Sequence, residues 1–251
     1  ECSMRSILAA ALFAAAGAAT AAAPDASLLA GLDARSIGPA AMSGRVTAVE
    51  AVADDPRIVD VGTAAGGVWK TTNAGITWTP VWEKEPVHSI GARANDPSNP
   101  NTVWAGTGET NVRNSVSYGR GLYRSTDAGR SWQFKGLADS ERIHKVLVDP
   151  RDGDIVYAAA MGRLWSSGGE RGVYRTRDGG TSWQRVLHVD GDTGASELVM
   201  DPSNPNKLFA SMWQFRRSAH DFTSGGPGSG LYRSVDGGDS WTKLGPAEGL
   251  P

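Results

Sequence analysis

An acid or its amide stands at one place in four near-copies of a single stretch: "GVWKTTNAGITW" at 67–78, "GLYRSTDAGRSW" at 121–132, "GVYRTRDGGTSW" at 172–183 and "GLYRSVDGGDSW" at 230–241. The residues are Asn73, Asp127, Asp178 and Asp236, spaced by 54, 51 and 58 positions. A carboxylate between a basic strand and a tryptophan has two available roles, proton transfer or bracing of a turn. Two positions on, Gly75, Gly129, Gly180 and Gly238 supply the positive φ of a tight hairpin. An acid so placed accepts bonds from loop amides and from a nearby Ser or Thr hydroxyl. Proton transfer needs an acid in one site, not a copy in every repeat, so the spacing predicts a brace. Trp78, Trp132, Trp183 and Trp241 then offer large apolar faces for packing between neighbouring sheets.

Three further acids, Glu109, Glu170 and Asp221, are the candidates for catalysis, because a carboxylate pair can supply a general acid and a general base or nucleophile. Other chemistry has no motif: no Gly-rich phosphate loop, no His-Glu-x-x-His, no Gly-x-Ser-x-Gly. His88, His144, His188 and His220 are scattered without metal-ligand spacing. The sequence therefore predicts neither metal nor cofactor.

The elements that position these residues share one grammar. An apolar run ("RVTAVEAVA", "IHKVLVD", "SELVMD") meets an Asp-Pro turn ("NDPSNPN", "VDPRDGD", "MDPSNPN"), and a second run follows ("TVWAGTG", "IVYAAAMG", "KLFASMW"). Short runs rich in Val, Ile and aromatics, punctuated by Asp-Pro, Asn-Pro and Gly, are strand and turn chemistry. A third strand ends in the repeated turn and a fourth starts at the tryptophan. Four antiparallel strands per repeat, radially repeated, make the blade of an all-β β-propeller. Four blades are expected, at about 42–84, 85–138, 139–190 and 191–251, in a partial propeller that forms the N-terminal fragment of a longer protein.

In such blades the first-to-second and third-to-fourth connections share one face, and the others share the opposite face. The second-to-third connections vary and grow: "ETNVRNSVSYGR" at 109–120, "GRLWSSGGER" at 162–171 and "WQFRRSAHDFTSGGPGSG" at 213–230. Insertions gathered on one face are the usual binding surface of a repeat protein. Their arginines and aromatics combine buried area with directional bonding. The ligand-binding candidates are Asn111, Arg113, Asn114, Tyr118, Arg163, Trp165, Trp213, Phe215, Arg216, Arg217 and His220. The competing reading is that the aromatics fold these loops down while the arginines bond loop carbonyls. The repeated Lys70, Arg124, Arg175 and Arg233 read as a blade-stabilising ladder rather than a ligand site.

The repeated stretch resembles the Asp-box, or BNR repeat, of sialidases, xyloglucan-cleaving glycosidases, sortilin-type Vps10 propellers and photosystem II assembly factors. The longer wording, "SGRVTAV", "GTGETNVRNS", "ERGVYRTRDGG" and "DFTSGGPGSGLYRS", is similar to large secreted bacterial proteins whose N-terminal part is a sortilin/Vps10-like propeller. This resemblance implies a binding module recognising an extracellular peptide, protein or glycan, in company with the remaining blades of the full-length protein. The alternative it implies is a glycoside hydrolase-like enzyme acting on polysaccharide or sialoglycan. In xyloglucan-cleaving relatives an aspartate precedes the third strand of the first blade. The matching stretch here, "GTAAGG" at 62–67, has Ala64 at that place, which favours binding.

Compartment follows from the N-terminal segment. "MRSILAAALFAAAGAATAAA" from Met4 carries one basic residue, an apolar run and small residues near Ala21, as a secretory signal peptide does. Residues 1–23 are therefore expected to be a signal peptide with three extra upstream residues, and 24–41 a lead-in. A secreted or periplasmic bacterial protein with no membrane span in its mature chain is expected. Cys2, the single cysteine, precedes that segment, leaving no thiol for disulfide or catalysis. A formal charge of −2 with interspersed signs gives no nucleic-acid footprint.

Overall fold

A computed structural model describes residues 45–248, so the expected signal peptide and lead-in lie outside the described residues. The strands run in chain order and each sheet takes consecutive ones. The first sheet holds β1 (Val46–Val52), β2 (Asp55–Thr63), β3 (Val68–Thr71) and β4 (Thr79–Pro80). The second holds β5 (Ile90–Asp96), β6 (Asn99–Thr107), β7 (Leu122–Ser125) and β8 (Gln133–Phe134), and the third β9 (Ile143–Asp149), β10 (Asp152–Ala160), β11 (Gly172–Thr176) and β12 (Gln184–Leu187). The fourth has β13 (Thr193–Asp201), β14 (Asn204–Arg217), β16 (Gly230–Ser234) and β17 (Thr242–Lys243), with β15 (Phe222–Ser224) paired to the far end of β14. Every pairing is antiparallel, and no α-helix occurs among the described residues.

Three slabs of side chains between consecutive sheets make the core. Val68, Trp82, Ile90 and Tyr123 lie between the first and second sheets. Trp104, Leu122, Ile143, Val156 and Tyr174 lie between the second and third, and Tyr157, Val173, Leu198, Leu208 and Met212 between the third and fourth. Each middle sheet thus buries both faces, which is why β6 and β10 end in continuous apolar or small runs rather than alternating ones. Backbones approach closely at the inner strands. A Cβ on Gly91 would stand 2.3 Å from the carbonyls of Gly108 and Ile143, so a side chain there would force the sheets apart.

One expected loop is partly a hairpin. The stretch from 213 continues β14, turns at 218–221 and returns as β15. Alternate aromatics at Trp213 and Phe215 suit an extended chain, and Ser218 closes the turn by accepting the Asp221 amide at 3.0 Å.

Candidate functional site

At each repeated turn the acid braces the loop. Asp127 Oδ1 accepts the Ser131 amide at 2.9 Å and the Ser125 hydroxyl at 2.7 Å, while Oδ2 accepts the Ser131 hydroxyl at 2.6 Å. Asp178 with Thr176 and Ser182, and Asp236 with Ser234 and Ser240, repeat the pattern. Asn73 keeps it, its Nδ2 donating to the Thr77 hydroxyl at 2.9 Å. These bonds, led by the serine hydroxyl, hold Asp127 and Asp178 down at about 2 and lower Asp236 as well. Such acids are committed to their turns. The turn is tighter than glycine alone suggests: Ala74 (φ 57) and Ala128 (φ 60) precede Gly75 (φ 86) and Gly129 (φ 91), so both central residues are left-handed. The preceding amide donates back to the Asp-Pro turn of its own blade, as Ala128 N does to Asn101 O at 2.8 Å.

The same turns fasten one blade to the next. Trp132 Nε1 donates to Val81 O at 2.8 Å with its ring 4.8 Å from Trp82, and Trp183 packs edge-on to Trp104. Trp241 packs on the third blade's core, whereas Trp78 is 40% exposed and its indole bonds only its own turn. Lys70 donates to Ala128 O, Arg124 to Gly179 O and Arg175 to Gly237 O, each in the following blade. Arg233 is exposed.

On the opposite face the insertions of three blades share a small core of Met161, Leu164 and Phe215, packed by Val112, Val116, Trp213 and Phe222. Phe215 is 1% exposed, beneath the Arg171 guanidinium at 4.9 Å, so it belongs to the interior of this face and not to its surface. Trp213 packs on both Phe215 and Phe222. Buried Arg171 donates to the carbonyls of Met161, Arg163, Ser166, Gly168 and Asp192, and burial lowers its pKa to about 10. Arg216 bonds Ser167 and Asp192, Arg217 bonds Asn114, and Arg163 pairs with Asp139 at 2.6 Å. Much of the candidate set therefore holds loop to loop.

What faces solvent is Asn111, Arg113, Asn114, Tyr118, Trp165 and His220, with Tyr118 69% and Trp165 48% exposed. A depression of about 460 Å³ lies beside Tyr118, lined also by Ala65, Pro86, His88, Val116 and Ser117. Next to Tyr118, the Gly119 amide donates to Glu141 O at 2.7 Å in the connection 137–142, where Leu137 (φ 56) and Glu141 (φ 53) are left-handed. Strain of this kind costs about 1–3 kcal/mol per residue and collects at functional surfaces. Asp139, Asp192 and His88, all in fourth-to-first connections, join this face without having been singled out. The available signal was that those connections share it.

The three acids do not form one set. Both oxygens of buried Glu109 are taken by Arg45, at 2.6 and 2.7 Å. Glu170 accepts the Asp139 amide at 2.8 Å, and burial raises its pKa, with nearby Asp139 adding to the rise. Asp221 is exposed at the β14–β15 turn. Among the described residues no three His, Cys, Asp or Glu side chains gather to hold a metal ion.

Asp-box blades packed sheet on sheet define a β-propeller domain. The Sortilin-Vps10 family model, described as sortilin, neurotensin receptor 3, matches residues 120–248, just over half of the chain, and the protein belongs to that family. It is also similar to a xyloglucanase from Paenibacillus sp., 28% identical over 215 residues, which cover 72% of this chain and 19% of that enzyme. Xyloglucanase Xgh74A of Acetivibrio thermocellus is 26% identical over 224 residues, 76% of this chain and 24% of its own. The chain spans about a fifth to a quarter of the length of these relatives. The solved GH74 xyloglucanase from Xanthomonas campestris aligns with a TM-score of 0.60 at 21% identity, over 86% of this chain and 32% of that one, a likeness in fold.

Proposed function

We propose that the protein is an exported, glycoside hydrolase-like propeller directed at polysaccharide, with a β-glucan of the xyloglucan type as the first substrate to test. The observation that carries this reading is the pair of exposed rings, Tyr118 and Trp165, on the face where the insertions gather, Tyr118 bordering a 460 Å³ depression. Flat aromatic faces stack on the apolar faces of sugar rings, and arginine forks such as Arg113 bond hydroxyls. The likeness to xyloglucanases supports the same substrate class.

For hydrolysis the chain offers one acid in a suitable setting. Glu170 is partly buried with a raised pKa, as a general acid requires. Glu109 is occupied by Arg45 and would serve only to join the first two blades. A second reading, binding of a peptide, protein or glycan without cleavage, is favoured by Ala64, a buried methyl group where xyloglucan-cleaving relatives are expected to carry an aspartate.

The purified protein is tested against xyloglucan by affinity electrophoresis and by release of reducing ends. Retardation weakened by Tyr118→Ala and Trp165→Ala supports the polysaccharide reading, and product release lost in Glu170→Gln supports hydrolysis. Retardation without products supports the binding form. No retardation and no products would overturn both for this substrate class.

A further inference from the structure

Second-strand residues at one register position decide how the blades meet on the Asp-box face. Trp104, opposite Arg124, and Tyr157, opposite Arg175, both fill the space beneath the next blade's turn. A Cβ on Gly180 would stand 2.8 Å from Trp104, and the Tyr157 hydroxyl donates to Gly237 O at 2.8 Å. The corresponding position in the first blade, opposite Lys70, is Asp60. Its small side chain turns into the interior to meet Arg93 at 2.9 Å, where both are buried. The aromatic plug is thereby missing between the first and second blades, and a cavity of about 400 Å³ opens there.

The lining combines apolar, hydroxyl and cationic side chains. Val52, Ile58 and Val81 give an apolar floor, Thr72, Thr77 and Thr79 contribute hydroxyls, and Lys70 and Arg130 bring two cations. Lys70 is held in place by Ala128 O at 3.1 Å and by Asp60 at 3.6 Å. The Arg130 guanidinium has no hydrogen bond or ion pair among the described residues. Among the residues that line the cavity, Lys70 and Arg130 are the charged ones and both are cations. Small-ligand sites span roughly 300–1,000 Å³, mostly apolar with a few placed polar groups, and this one falls inside that range.

We infer that the cavity between the first and second blades on the Asp-box face binds a small sugar-sized carboxylate, its anion at Lys70 and Arg130, its hydroxyls at the threonines and its ring on the apolar floor. This site lies on the face opposite Tyr118 and is independent of the polysaccharide reading. The test is titration of the purified protein with glucuronate and with uncharged glucose, followed by saturation-transfer NMR. Glucuronate is expected to bind saturably at millimolar concentration and glucose is not. Arg130→Ala, at an exposed side chain, is expected to weaken glucuronate by about tenfold, the effect of one lost charge-assisted bond. Lys70→Met is expected to abolish binding, and Tyr118→Ala to leave it unchanged. Absence of saturable glucuronate binding, equal binding of glucose, or an Arg130→Ala variant with unaltered affinity would each overturn the inference.

Discussion

The indole Nε1 of Trp183 donates to the carbonyl of Lys135 across 2.6 Å, so the third blade's Asp-box closes on the last strand of the second. Trp132 makes the same bond to Val81 O one blade earlier. Trp183→Phe removes the donor but keeps most of the ring and is expected to cost about 1 kcal/mol. Trp183→Ala also leaves a cavity beside Trp104, for about 3 kcal/mol. Trp78→Phe, at a half-open indole, is expected to cost less than either. Urea unfolding of the three variants ranks them.

Acid unfolding is expected to draw on the turn acids. Asp127 and Asp178 fall from 3.8 to about 2 in the folded chain. A depressed folded pKa contributes stability that is present above the unfolded value and lost as pH falls. The loss therefore lies between about pH 4 and pH 2. Asn73 shows that an amide satisfies the same turn. Asp127→Asn is thus expected to keep the fold and flatten the decline of melting temperature across that window; an unchanged slope would show that this turn does not titrate with folding.

Arg45 and Glu109 join the first blade to the second blade's insertion. Arg45→Ala leaves a buried carboxylate without its bidentate partner and is expected to lower the urea midpoint of unfolding. Hydrogen exchange at 109–120 should rise in this variant, and the fourth blade's Asp-box at 230–241, on the opposite face, should be unaffected.

Phe215 sits at the centre of the shared insertion core. Phe215→Ala is expected to cost about 3 kcal/mol within that cluster and to expose 109–120 and 213–229 to limited proteolysis together, because the two segments pack on one another. Cleavage of only one segment would show that the insertions are independent.

Repeat length, strand grammar and the turn acids were legible from the residues because they are local. Asp127 reaches partners within four positions, and a four-fold copy tells a brace from a catalyst. The candidate face was legible as a place, since antiparallel connectivity assigns each connection to a side. The roles on it were not. Arg113, Tyr118 and Trp165 face solvent, whereas Phe215, Arg171 and Arg217 are spent on holding loops together, and composition does not distinguish the two uses.

By itself, then, the sequence determined the blade, the hairpin and the Asp-box, all fixed by contacts a few residues apart. Only the tertiary structure decided which aromatic is buried, which acid is already paired and where space remains. Glu109 meets Arg45 across 64 positions, and the cavity beside Lys70 takes its other wall from Ala128 and Arg130 of the next blade. Such contacts depend on how whole sheets stack, and stacking is set by the summed shape of side chains on facing strands rather than by any local pattern.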